Sequence, residues 1–155
     1  RNPGLAASDM LATRRACEKF RGMPVAIMNF VEGTRFTAEK HARQPGAYRH
    51  LLRPKAGGVA FVLEAMGEAL HAVLDVTIAY PGGTPTLMDL LSGRIPAIVI
   101  ELRELPIPLD LLESEYENDN AARVRYQRWV NGLWQAKDAR LDALLDSAPG
   151  KESAA

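Results

Sequence analysis

Cysteine is almost missing from this sequence: Cys17 is the only one in 155 residues. That excludes an intramolecular disulfide and any cysteine-built metal centre. Cys17 sits in an amphipathic stretch and reads as a semi-buried thiol. Charge of one sign is missing too, since 19 Lys and Arg balance 19 Asp and Glu. A chain with no net charge has no broad basic face for nucleic acid, although a local anion site remains open to it. Apolar runs are short, and none reaches the about 18 residues that a membrane-crossing helix needs. The opening Arg1-Asn2-Pro3-Gly4 has neither an initiator methionine nor the apolar core of a signal peptide. The expectation is a soluble piece of a longer protein, with Arg1 an internal residue. Phosphate-loop, dinucleotide-binding and metal-ligand spacings are absent as well.

What is present fits one α/β domain over residues 1–146, followed by a small polar tail at 147–155. Residues 8–21 predict an amphipathic helix, with Ser8 or Asp9 as N-cap, Met10, Ala16, Cys17 and Phe20 on one face, and Gly22 and Pro24 as the stop. Pro24 to Val31 is a short apolar run and predicts a buried strand. Residues 36–54, broken by Pro45, Gly46 and Pro54, read as a long loop. A helix is expected from Lys55 to Gly67, where Gly57 and Gly58 allow close backbone approach. Two more strands are expected, His71 to Tyr80 and Ala97 to Arg103, with a helical turn at Leu87–Leu91 between them. The longest helix spans 119–146 and carries Val124, Trp129, Val130, Leu133, Trp134 and Leu141 as its apolar stripe. Its Arg123, Arg125, Arg128, Lys137 and Arg140 read as a solvated basic side. Strand, loop, helix, strand is the βαβ pattern. A few-stranded, mainly parallel sheet flanked by helices follows, buried on both faces.

The segment with chemistry in it is Glu32-Gly33-Thr34-Arg35, placed at the end of the first expected strand. Parallel sheets bind ligands beyond the carboxyl ends of their strands. Gly33 removes the Cβ that would hold an anion away from the backbone. Arg35 offers a planar fork of donors matched to phosphate oxygens. Glu32 could orient that guanidinium or accept bonds from the loop's amides. The plainer alternative is a strand-end turn with a surface ion pair.

This segment resembles the third sequence block of the glycerolipid acyltransferases, whose members carry Phe-Pro-Glu-Gly-Thr-Arg there. Asp9 to Pro108 as a whole resembles the lysophosphatidic-acid-acyltransferase-like proteins of the bacterial inner membrane. The pieces that carry the likeness are Ala12 to Phe20, Asn29 to Thr37, Tyr48 to Leu52, Pro54 to Gly58 and Leu74 to Thr77. Residue by residue, the resemblance implies that Arg35 contacts the acceptor's phosphate while Gly33 and Thr34 shape the loop around it. It implies that Glu32 holds that loop, and that Lys55, a basic residue before a glycine, adds to the phosphate site. Val31 and Thr77 stand where the family has proline.

The family's reaction also needs a histidine followed five residues later by aspartate: a general base and the group that orients it. Five positions after His41, His50 and His71 stand Gly46, Lys55 and Val76. No catalytic residue is therefore expected in this chain. The resemblance places the missing pair upstream, together with the membrane-associated part of the protein. It implies acyl transfer from an acyl thioester, coenzyme A or acyl carrier protein, to the hydroxyl of a lysophospholipid such as lysophosphatidic acid. No cofactor and no metal are implied, and the location is the cytoplasmic face of a bacterial inner membrane. The chain alone would be inactive and prone to self-association through unpaired strand edges. The alternative is a non-catalytic phosphoanion- or lipid-binding module.

Overall fold

The computed structural model describes residues 23–112, 116 and 119–146. The helix expected over 8–21 lies outside them. In chain order the elements are α1 (Ala38–Ala42), α2 (Gly57–Met66), β1 (Val73–Ala79), α3 (Leu87–Leu91), β2 (Val99–Leu105), α4 (Leu109–Leu112) and α5 (Asn120–Asp146). They divide between two compact units. Of the described residues, the first holds 23–34, 54–73 and those within 106–130; the second holds 35–53, 74–105 and 131–146.

The first unit is a small helical core. Ala56, Ala60 and Leu63 meet Leu111 of α4 and Tyr126 and Val130 of α5, with Trp129 and Val31 packed at the margin. Tyr126 is fully buried, and its hydroxyl donates to Leu111 O at 2.8 Å, which satisfies the one polar atom its ring carries inward. Gly58 faces the Asn29 side chain so closely that a Cβ there would stand 2.8 Å from Asn29 Nδ2. That is the close approach the paired glycines lead one to expect. Val124, assigned to the apolar stripe, is exposed, and Tyr126 takes the buried position instead.

The second unit is built on a hairpin, and here the expected sheet is corrected. Among the described residues there are two strands, β1 and β2, and they run antiparallel. A parallel pair is usually joined by a crossover helix packed on the sheet. Residues 80–98 hold only the five-residue α3, and β2 re-enters the sheet from the end that β1 leaves. The expected first strand is corrected too. Residues 24–30 take no strand pairing, and Val25, Ile27, Met28 and Phe30 are exposed. Val76, expected to be buried on both faces of a parallel sheet, is likewise exposed. The loop at 36–54 contains α1, capped by Thr37 Oγ1 accepting from Lys40 N at 3.2 Å.

The hairpin's polarity is inverted. Asp75, Thr77 and Ala79 are its buried residues, and they share a face with Val99, Glu101 and Arg103. The other face, Leu74, Val76, Ile78, Ile98, Ile100 and Leu102, is exposed. The second half of α5 covers the charged side. Lys137 Nζ lies 2.5 Å from Asp75 Oδ1 and donates to Val76 O at 2.6 Å. Arg103 donates to Asp75 Oδ2 at 2.5 Å, and Arg140 to Glu101 at 2.6 Å. Leu141 and Leu144 complete the contact on Ala79. Lys137, assigned to a solvated basic side, is thus buried at 6% exposure, drawn under the sheet by Asp75.

Candidate functional site

The Glu-Gly-Thr-Arg segment begins in a tight turn. Gly33 N donates to Phe30 O at 2.8 Å, and Gly33 has φ +66°, a conformation that L side chains rarely adopt. Glu32 is half-buried, whereas Gly33 and Thr34 are exposed. The residue that meets this turn comes from just before α2. Lys55 N donates to Val31 O at 2.8 Å. Its side chain then lies across Gly33, where a Cβ would sit 3.7 Å from both Lys55 Cδ and Lys55 Nζ. Lys55 is exposed between buried Pro54 and Ala56, and it takes part in none of the ion pairs among the described residues. An exposed, unneutralised ammonium over a Cβ-free turn can hold an anion.

Arg35 belongs to the second unit. It is exposed, and its carbonyl accepts from Lys40 Nζ at 3.1 Å, which ties the residue to α1. Among the described residues of that unit its guanidinium makes no ion pair. Phe36 packs its ring on His41, centroids 5.5 Å apart. Four of the five expected site residues therefore fall in the first unit, where Lys55 is brought onto Gly33, and Arg35 is held separately by α1.

His41 and His50 are occupied elsewhere. His41 Nε2 lies 2.8 Å from Tyr48 O. His50 Nε2 lies 2.7 Å from Asp142 Oδ1, an oxygen that also takes the Arg49 guanidinium at 2.8 Å. Asp138, one turn earlier, accepts from Arg49 N at 2.7 Å and His50 N at 2.8 Å. These contacts staple residues 49–50 to α5. Burial, and then the Asp138 carboxylate, holds the nearby Tyr48 phenol above its ordinary 10.0, against the pull of Arg53. His71 is exposed ahead of β1. A hollow in the β1–β2 connection contains Arg94, but Asp89 already neutralises it at 3.1 Å.

Sequence reasoning missed Gln127, Asp138 and Asp142. Their spacing was a usable signal: 127 to 138 is close to three whole helical turns and 138 to 142 close to one, so the three make a polar stripe. No described helix is long and apolar enough to cross a membrane, and no described group of His, Cys, Asp and Glu could hold a metal.

Known proteins place the chain. It is similar to lysocardiolipin acyltransferase 1 of Gallus gallus, 31% identical over 130 residues, 76% of this chain and 32% of the relative. It is also similar to the 1-acyl-sn-glycerol-3-phosphate acyltransferase delta of Homo sapiens, 32% identical over 117 residues, 70% of this chain and 29% of the relative. The chain belongs to the glycerophospholipid acyltransferase family. This family member spans about a third of the length of the curated relatives it matches. No family model matches it, and no solved structure does.

Proposed function

We propose that this chain grips the acceptor's phosphate in an enzyme that moves a fatty acyl group from an acyl thioester to the hydroxyl of a lysophospholipid such as lysophosphatidic acid. The observation that carries the reading is Lys55, whose ammonium lies over Gly33 in the turn that leads into Arg35. Lys55 supplies a point charge and Arg35 a planar fork, two complementary ways to bind a phosphate monoester. Glu32, Gly33 and Thr34 shape the turn that Lys55 meets. With the phosphate held, the acceptor hydroxyl can be presented to the thioester carbonyl, which turns an encounter of two molecules into a step within one complex. The hydroxyl oxygen attacks that carbonyl, a base takes its proton, and the thiolate of coenzyme A or acyl carrier protein leaves. The base is a histidine outside this chain. The reaction takes place at the cytoplasmic face of a bacterial inner membrane, and it uses no metal.

A second reading, a non-catalytic phosphoanion- or lipid-binding module, is favoured by one observation: His41 and His50 are both engaged in contacts that leave neither as a free oriented base. Both readings require the anion site. Titrating the chain with glycerol 3-phosphate by calorimetry tests it. Arg35→Ala and Lys55→Met should each weaken binding by about tenfold, the loss of one charge-assisted contact. Unchanged affinity in both variants would leave the motif as a structural turn. In a longer protein containing this chain, acyl transfer to lysophosphatidic acid separates the enzyme from the binding module.

A further inference from the structure

The lysine over Gly33 is long and exposed, and a free lysine loses much side-chain entropy when a ligand fixes it. Its backbone, however, is pinned on every side. Lys55 N is bonded to Val31 O at 2.8 Å. The carbonyl before it, Pro54 O, accepts from Gln127 Nε2 at 3.0 Å. The amide after it, Ala56 N, donates to Gln127 Oε1 at 3.3 Å. One side-chain amide on α5 thus holds the main chain on both sides of Lys55, using its donor and its acceptor at once. Pro54 and Ala56 are themselves buried. Lys55 is left as the one exposed residue on a clamped strip, with its Cα fixed relative to the Gly33 turn.

We propose that Gln127 is a positioning residue for phosphate: it sets the base of Lys55 so that the ammonium stands over Gly33 before the anion arrives. This rests on the reading of Lys55 as a phosphate ligand. Gln127 itself touches no substrate. It lowers the ordering cost of the lysine that does. No apolar side chain could replace it, because the clamp needs a donor for Pro54 O and an acceptor for Ala56 N in one planar group.

The test follows inorganic phosphate binding to the whole chain through the methyl signals of reductively methylated lysines, with Lys55 assigned by its loss in Lys55→Arg. In the unsubstituted chain phosphate should move the Lys55 signal. Gln127→Met, close in size, should weaken that binding by about five- to tenfold, the effect of losing one to two neutral hydrogen bonds. Tyr126→Phe, one residue away, breaks the bond to Leu111 O and should leave phosphate affinity unchanged while lowering the melting temperature. Equal affinity in Gln127→Met, or an equal loss in Tyr126→Phe, overturns the positioning role and leaves the ligand role of Lys55 standing. No phosphate effect on Lys55 in the unsubstituted chain overturns the ligand reading and the inference with it. A second measurement needs no variant. If the clamp favours the bound lysine, bound phosphate must favour the clamp, so saturating phosphate should slow hydrogen exchange at Ala56 N–H. Exchange there that ignores phosphate also overturns the proposal.

Discussion

Lys137 and Asp75 form a buried ion pair, 2.5 Å apart and each under a tenth exposed, on the underside of a hairpin whose aliphatic side faces outward. Such a pair contributes little net stability against a well-packed apolar pair, yet removing one member strands the other in a medium that cannot solvate it. Asp75→Ala should therefore cost about 3–5 kcal/mol in urea unfolding, since Lys137 and Arg103 both lose their carboxylate. Asp75→Leu combined with Lys137→Met should recover most of that loss. A double variant no more stable than Asp75→Ala would mean that the pair is not the unit that matters.

The outward face predicts the opposite behaviour. Leu102 is 65% and Ile100 60% exposed, so Ile100→Thr with Leu102→Thr should change unfolding free energy by less than about 1 kcal/mol. The same face gives a basis for self-association. Its six aliphatic side chains leave on the order of 600 Å² open, and two copies packed sheet on sheet would bury about 1,200 Å², the lower edge of a standard interface. Glu104, the next outward residue of β2, is a charge at one end of this face. Light scattering coupled to gel filtration at micromolar concentration should find more than the monomer mass, and Ile100→Lys should restore the monomer. A monomeric parent chain would rule out this contact.

α3 carries a pH-dependent cap. Thr86 Oγ1 accepts from Asp89 N at 3.2 Å, and the Asp89 carboxylate accepts from Thr86 N at 2.9 Å. The Thr86 hydroxyl first, then the Thr86 amide and Arg94, hold the Asp89 carboxyl below 3.8. A carboxyl lowered by folding stabilises the fold above its unfolded value and loses that contribution as pH falls through the lower folded value. Carbon NMR of the Asp89 carboxyl should place its midpoint below 3.8, and Thr86→Ala should move it upward. A midpoint unmoved by Thr86→Ala would remove Thr86 as the cause.

The chain by itself should release no thiol from an acyl thioester in the presence of lysophosphatidic acid, because His41 is bonded to Tyr48 O and His50 to an Asp142 shared with Arg49. In a longer active protein, Arg35→Ala should raise the acceptor KM more than it lowers kcat. Turnover by the isolated chain would mean that His41, His50 or the exposed His71 serves as the base.

Helix existence was legible where periodicity was long: α5 begins at Asn120 and ends at Asp146, almost where the pattern from 119 to 146 puts it. α2, β1 and α3 also sit close to their expected spans. The sheet was misread because Pro24 to Val31 has the composition of a buried strand, and composition does not supply a neighbour to pair with. The alternation in Leu74-Asp75-Val76-Thr77-Ile78-Ala79 was visible, but not which face turns inward. That depends on Lys137 and Arg140, which arrive on another element far along the chain. At the site, the turn at Gly33 and the lysine that meets it were readable from the motif and the resemblance. Gln127 could be placed on a polar stripe of α5, but its partners could not, because an amide that bonds main chain leaves no mark on residues 54–56.

The separation between the hairpin and its cover also sets a schedule for synthesis. Lys137 follows Leu105, the end of β2, by 32 residues, so at 5–20 residues per second about 2–6 s pass between the two. Throughout that interval the nascent hairpin carries Asp75 without the ammonium that will seal it, and its aliphatic side is open as well. Neither surface of the hairpin is then protected, which makes this the window in which a chaperone has most to gain by holding the emerging chain. A chain that ends short of Lys137 would make that exposure permanent.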